Sequence, residues 1–185
     1  MFADILEVKA SEIIIGGNSS LSMMYSALAK AMLYGAYDSE RPWKNDKEVK
    51  FICPIPGYDR HFTICEHLGI KMLPVDMDEN GPDMHQVEAL VKEDPSIKGM
   101  WCVPKYSNPS GCTYSSEVVH RLAGMETAAP DFKLMWDNAY VVHDLYDTSA
   151  VLENIMEACV EAGHPHRVYL FTSMSKVTFA GAAVA

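Results

Sequence analysis

Val49-Lys50-Phe51-Ile52-Cys53-Pro54-Ile55-Pro56-Gly57-Tyr58-Asp59-Arg60-His61-Phe62-Thr63-Ile64-Cys65-Glu66-His67-Leu68-Gly69-Ile70-Lys71-Met72-Leu73-Pro74-Val75 reads as one strand–helix–strand unit. Val49 to Cys53 is a short apolar run with the length of a buried strand. Two prolines and Gly57 end it with a fixed turn. Tyr58 to Leu68 has helical length, and Gly69 is a suitable stop because glycine accepts the left-handed conformation in which helices often end. Ile70 to Val75 is again a strand. Two strands joined through a helix of this length lie parallel, by a right-handed crossover.

The same alternation continues on both sides. Downstream, the spacing predicts a helix from Pro82 to Lys92, with proline in its first turn, and a strand from Ile97 to Val103. A helix from Ser115 to Met125 follows, capped by Ser115 or Ser116, then a strand from Phe132 to Trp136. A helix from Val151 to Ala162, stopped by Gly163, precedes a strand from Val168 to Thr172. Upstream, the apolar run Ile13-Ile14-Ile15 ends at Gly16-Gly17. A helix from Ser19 to Tyr34 comes next, with Leu21, Met24, Tyr25, Leu28 and Met32 on one face, Asn18 or Ser19 as cap and Gly35 as stop. No repeat, low-complexity tract or linker interrupts the pattern. The expected fold is α/β: a three-layer αβα arrangement around a mostly parallel sheet.

The chain has 185 residues, enough for one domain or a large piece of a bigger protein. Its 49% apolar and 22% charged residues exclude a disordered or fibrous class. The net charge of −10 argues against nucleic acid or an anionic membrane surface as partner. No stretch approaches the roughly 18 apolar residues needed to span a bilayer. The start, Met1-Phe2-Ala3-Asp4-Ile5-Leu6-Glu7, lacks the basic segment and long apolar core of a secretion signal. Cys53, Cys65, Cys102, Cys112 and Cys159 are odd in number and show no C-x-x-C spacing. They read as small buried hydrophobes in a reducing cytoplasm rather than as disulfides or a zinc site. His164 and His166, around Pro165, lack accompanying ligands and read as a solvated turn. No metal is expected.

In a parallel sheet, ligands gather beyond the carboxyl ends of the strands, so the loops there are where chemistry is to be sought. Gly16-Gly17-Asn18-Ser19-Ser20 precedes a helix. It suits close backbone approach to a phosphate, and equally ordinary capping. Pro54-Ile55-Pro56-Gly57-Tyr58 fixes a turn that presents an aromatic ring, either to a flat ligand or to the core. Tyr106-Ser107-Asn108-Pro109-Ser110-Gly111 is turn chemistry, with an amide that can donate to a ligand oxygen. Asp137-Asn138-Ala139-Tyr140 puts a carboxylate at the end of a buried strand, costly without a cation. A protonated ring nitrogen would serve, and Tyr140 could reach an adjacent ring oxygen. Finally, Ser173-Met174-Ser175-Lys176 follows the last strand. Lys176 is expected in apolar surroundings that favour the neutral, nucleophilic amine, although a lone lysine is ordinarily a surface residue.

Taken in order, Gly-Asn-Ser, Pro-Gly-Tyr, Asn-Pro-Ser-Gly, Asp-x-x-Tyr and Ser-x-x-Lys resemble the fold-type I aminotransferases that use pyridoxal 5′-phosphate (PLP). The longer strings Cys53 to Phe62, Trp101 to Gly111 and Thr172 to Gly181 resemble the aspartate aminotransferase-like branch often filed with MocR-like proteins. The resemblance implies that Lys176 is the Schiff-base lysine and the acid/base of the proton shift. It implies that Asp137 pairs with the pyridine nitrogen, Asn108 and Tyr140 donate to the ring hydroxyl, and Tyr58 stacks on the ring. Gly17, Asn18, Ser19 and Ser173 become the phosphate cradle, with Ser175 or Thr178 as further candidates.

The implied activity is transamination, from aspartate to 2-oxoglutarate, in a cytoplasmic homodimer. The alternatives are another PLP reaction, such as a β-lyase or decarboxylase, or an aminotransferase-like effector domain of a regulator. Many relatives carry an arginine where Val184 stands. By the same resemblance, residues 1–185 are the central part of the PLP-binding large domain. An N-terminal segment and a C-terminal small domain, which bears the arginine for the substrate carboxylate, are expected to lie outside them. The 185 residues alone are expected to be poorly active.

Overall fold

A computed structural model describes residues 1–145, 147–148, 150–177 and 184–185. After a short helix α1 (Phe2–Leu6) come α2 (Ser20–Tyr34), β1 (Lys50–Ile55), α3 (Asp59–Leu68), β2 (Lys71–Asp78), β3 (Gly81–Pro82), α4 (Met84–Glu93), β4 (Ile97–Cys102), α5 (Ser116–Gly124), β5 (Lys133–Asp137), α6 (Ile155–Glu161) and β6 (Val168–Phe171). The six-stranded sheet has the order β3-β2-β1-β4-β5-β6. Every pairing is parallel except that of the two-residue β3 with β2. Strand order reverses between β1 and β4, and the crevice at such a reversal is where open α/β sheets bind ligands.

Alternation along the strands divides the core in two. Ile52, Met100, Cys102, Leu134 and Trp136 face α4, α5 and α6, and pack with Val87, Val119, Leu122 and Ile155. Phe51, Cys53, Trp101 and Met135 face α2 and α3, and pack with Met24, Leu28, Ile64 and Cys65. The expected three layers are therefore present. Asp137 follows Met135 by two residues, so strand periodicity aims it at the α3 side. Gly99 lets β1 and β4 close up, because a Cβ there would lie 2.5 Å from the Phe51 ring and 2.8 Å from the Lys133 carbonyl oxygen.

The amino ends of the strands are tied by buried ion pairs. Lys133 Nζ lies 2.6 Å from Asp38. Lys98 Nζ donates to Asp131 at 2.9 Å, and the other Asp131 oxygen accepts from Trp43 Nε1 at 2.8 Å and Ser39 Oγ at 2.6 Å. Arg167, buried just before β6, donates to the carbonyls of Ala123 and Met125 and so ties down the end of α5.

Several expected boundaries move. Pro82 belongs to β3 rather than to the next helix. Asp83 caps that helix by accepting from the His85 and Gln86 amides, so α4 begins at Met84. The α6 helix starts at Ile155, not Val151, because Asn154 captures the Met156 and Glu157 amides as N-cap. Ile13-Ile14-Ile15 forms no strand, and Ile14 and Ile15 are exposed. The α1 helix had no counterpart in the sequence reading. All five cysteines are free, and all but Cys112 are buried. Among the described residues, no helix is long and apolar enough to cross a membrane.

Candidate active site

The carboxyl ends of the parallel neighbours β1, β4, β5 and β6 lie along one side of the sheet, beside the reversal between β1 and β4. Asp137, 5% exposed, ends β5. His61 Nε2 lies 3.0 Å from Asp137 Oδ2. A carboxylate only accepts, so Nε2 carries the proton. The His61 ring stacks on Trp101 of β4, with centroids 4.2 Å apart and planes within 6°. Trp101 Nε1 in turn donates to Cys65 Sγ at 3.2 Å. Tyr58 meets His61 edge-on at 5.2 Å. Thus α3 and β4 fix one carboxylate oxygen. The other, Oδ1, is buried and has no hydrogen-bond partner among the described residues.

Local sequence explains why these groups arrive together. Tyr58 ends the turn at Pro54–Gly57, where a Cβ on Gly57 would collide with the Pro54 carbonyl oxygen and lie 2.7 Å from Phe62. One helical turn later, His61 takes the inward face with Ile64 and Cys65. Asn138 N donates to Phe171 O at 2.8 Å, and Thr172 Oγ1 donates to Asn138 O at 3.0 Å. These bonds hold the segment after β5 against the segment after β6. A short 3-10 turn, Met174–Lys176, then carries the lysine.

Lys176 departs from expectation, because it is exposed. It sits on the 3-10 turn after β6, and its ammonium rests 3.8 Å from the Tyr140 ring centroid. Gly17, Asn18 and Ser19 lead into α2, and Ser173 immediately precedes the lysine turn. Ser175 Oγ donates to the Asn18 carbonyl at 2.8 Å, joining the α2 entry to the lysine turn. Ser19 Oγ accepts from the Ser22 amide as helix cap. Ser173 precedes the 3-10 turn without capping it through its side chain. A Cβ on Gly17 would meet open space. Asn108 is exposed in the turn closed by Gly111 N to Ser107 O. Thr178 lies outside the described residues.

Two residues without an assigned role in the sequence reading, His61 and Trp101, turn out to complete the carboxylate's surroundings. The available signal was His61 within an apolar helical stripe of Ile64, Cys65 and Leu68. Among the described residues there is no group of three or more His, Cys, Asp or Glu able to hold a metal.

A buried, half-satisfied carboxylate is the acceptor that a cationic ring N–H requires, and an amine lies next to the loop that bears it. This donor set fits PLP. The family model for aspartate aminotransferase matches residues 1–185. An aspartate aminotransferase of Corynebacterium glutamicum is 48% identical over 184 residues, covering 100% of this chain and 42% of its own length. A Mycolicibacterium smegmatis protein with a provisional aminotransferase name is 50% identical, covering 100% of this chain and 43% of its own. The crystal structure of an aspartate transaminase from C. glutamicum superposes with a TM-score of 0.95 at 49% identity, over 99% of this chain and 43% of that one. The chain therefore spans less than half the length of these relatives. It belongs to the aspartate aminotransferase family, the PLP-using enzymes of fold type I.

Proposed function

We propose that these residues form the cofactor-holding part of an enzyme that moves an amino group from aspartate to 2-oxoglutarate. The observation that carries this is the free oxygen of Asp137, buried where its partner oxygen is pinned by His61. Aspartate as donor rests on the name of the C. glutamicum relative, and 2-oxoglutarate as acceptor on the family resemblance of the sequence motifs. When bound, PLP supplies a ring that takes up the charge left as a bond to the substrate α-carbon breaks.

The chain's own groups prepare for that. Asp137 provides the fixed negative charge that keeps a ring nitrogen protonated, and His61 prevents that carboxylate from turning away. Tyr58 covers a ring face, while Tyr140 and Asn108 donate to its hydroxyl; for Asn108 this requires the 107–111 turn to close inward. Gly17, Asn18, Ser19 and Ser173 hold the phosphate. Lys176 would be the residue that holds the cofactor covalently, and its amine would be the group that carries the α-proton. Residues 1–185 are the central part of the large domain. The substrate-carboxylate arginine belongs to a small domain outside them, and the working enzyme is a cytoplasmic homodimer.

Borohydride reduction of the PLP-loaded protein followed by peptide mapping is expected to place the label on Lys176. A label on another residue overturns the proposal. Formation of glutamate from 2-oxoglutarate with aspartate as donor, assayed on the intact enzyme, tests the substrate pair. β-Elimination or decarboxylation without glutamate formation would replace it.

A further inference from the structure

We propose that His143 is a positioning residue for Lys176, closing a clamp that also includes Tyr140. This rests on the role proposed for Lys176, but it arises from separate contacts. The His143 amide donates to the Tyr140 carbonyl at 3.0 Å, which curls the chain just after β5. The His143 ring then meets the Tyr140 ring edge-on, with centroids 5.6 Å apart and planes at 81°. Its Nε2 lies 3.3 Å from the Lys176 carbonyl oxygen. The Lys176 ammonium returns to the face of Tyr140, 3.8 Å from the centroid. Main chain of Lys176, imidazole, phenol and ammonium form a closed circuit.

A carbonyl cannot donate, so Nε2 carries a proton and is the donor in this contact. Nδ1 is buried and has no hydrogen-bond partner among the described residues. The other tautomer would set a lone pair against the carbonyl oxygen and bury an N–H without an acceptor. The ring therefore points its Nε2 donor at the turn that carries the lysine. The 3-10 turn from Met174 to Lys176 has no side-chain cap of its own, since Ser173 does not supply one. Ser175 and Met174 tie the turn to Asn18 and Val184; His143 adds the contact at the lysine itself, and it sets where the amine starts from when an aldehyde arrives.

The test follows covalent attachment of PLP to Lys176 by absorbance, confirms the site by borohydride reduction and peptide mapping, and records thermal unfolding alongside. His143→Leu keeps the bulk and loses the donor. It is expected to slow attachment roughly three- to tenfold, the size of one net hydrogen bond, with little change in the unfolding midpoint. His143→Gln, whose amide nitrogen reaches about as far as Nε2, is expected to recover most of the rate. His143→Asn, which is shorter, is expected to behave like the leucine variant. Attachment at the wild-type rate in His143→Leu overturns the inference while leaving Lys176 as the anchor. So does glutamine performing no better than asparagine, a comparison that stands even if the leucine variant folds poorly. A label away from Lys176 removes both this inference and the function beneath it.

Discussion

Buried polar groups are treated differently at the two ends of the sheet. At the amino end, Lys133 is fully buried and held by both oxygens of Asp38, at 2.6 and 2.7 Å. Asp131 meets Lys98, Trp43 and Ser39 together. At the carboxyl end, Asp137 Oδ1, Asn138 Oδ1 and His143 Nδ1 are buried without hydrogen-bond partners among the described residues, all within one short stretch. An unsatisfied buried polar atom costs roughly 1–3 kcal/mol. The first end is built for stability. The second tolerates a local cost of the kind that a ligand repays.

Breaking the satisfied end should have the largest effect on folding. Asp131→Ala strands Lys98 without its closest partner and is expected to cost about 3–5 kcal/mol in chemical denaturation, as for other buried pairs broken from one side. A loss below about 1 kcal/mol would remove the contrast between the two ends. Asp137→Asn should do the opposite. Its stability is expected within about 1 kcal/mol of wild type, because only the His61 contact is altered, while PLP retention falls sharply. Equal destabilisation in the two variants would show that Asp137 is a structural acid.

Acid sharpens the same comparison. Burial pushes Asp131 up, but hydrogen bonds from Ser39, Lys98 and Trp43 and the Lys98 charge outweigh it, so its pKa lies below the ordinary 3.8. A depressed carboxylate stabilises the fold above its unfolded pKa and loses that contribution as pH falls through the folded value. Acid titration of stability should therefore be shallower in Asp131→Asn than in wild type below about pH 4. Asp94, brought to about 2 chiefly by its bond from Lys50 and then by Ser96, works in the same direction. Its side chain is a third exposed, so Asp94→Asn should cost at most about 1 kcal/mol between pH 7 and 4, with the difference fading as pH falls through about 2 and gone below it. That is the smallest effect expected here.

The layering was legible in the sequence because each strand is a short apolar run and each helix carries a distinct apolar face. The boundaries at Met84 and Ile155 were misplaced because Asp83 and Asn154 cap more strongly than the apolar pattern extends. The positions of Asp137 and Lys176 at strand ends were readable as well. The exposure of Lys176 was not, since it depends on a 3-10 turn rather than on hydrophobicity. Nor was the grouping of His61, Trp101 and Asp137 readable, because it joins one helix to two strands far apart in the chain. The register of β4 on β5 sets Trp101 beside Met135, two residues before Asp137, and α3 brings His61 onto both.

The indole under His61 has an implication beyond packing. Trp101 carries no charge, yet its flat face sets the plane of the imidazole and, through it, the bearing of a carboxylate. Replacing it with leucine would swap one greasy residue for another and still retune the acidity of whatever docks against that oxygen. In such an arrangement, evolution can adjust proton chemistry by editing positions that look like mere filling.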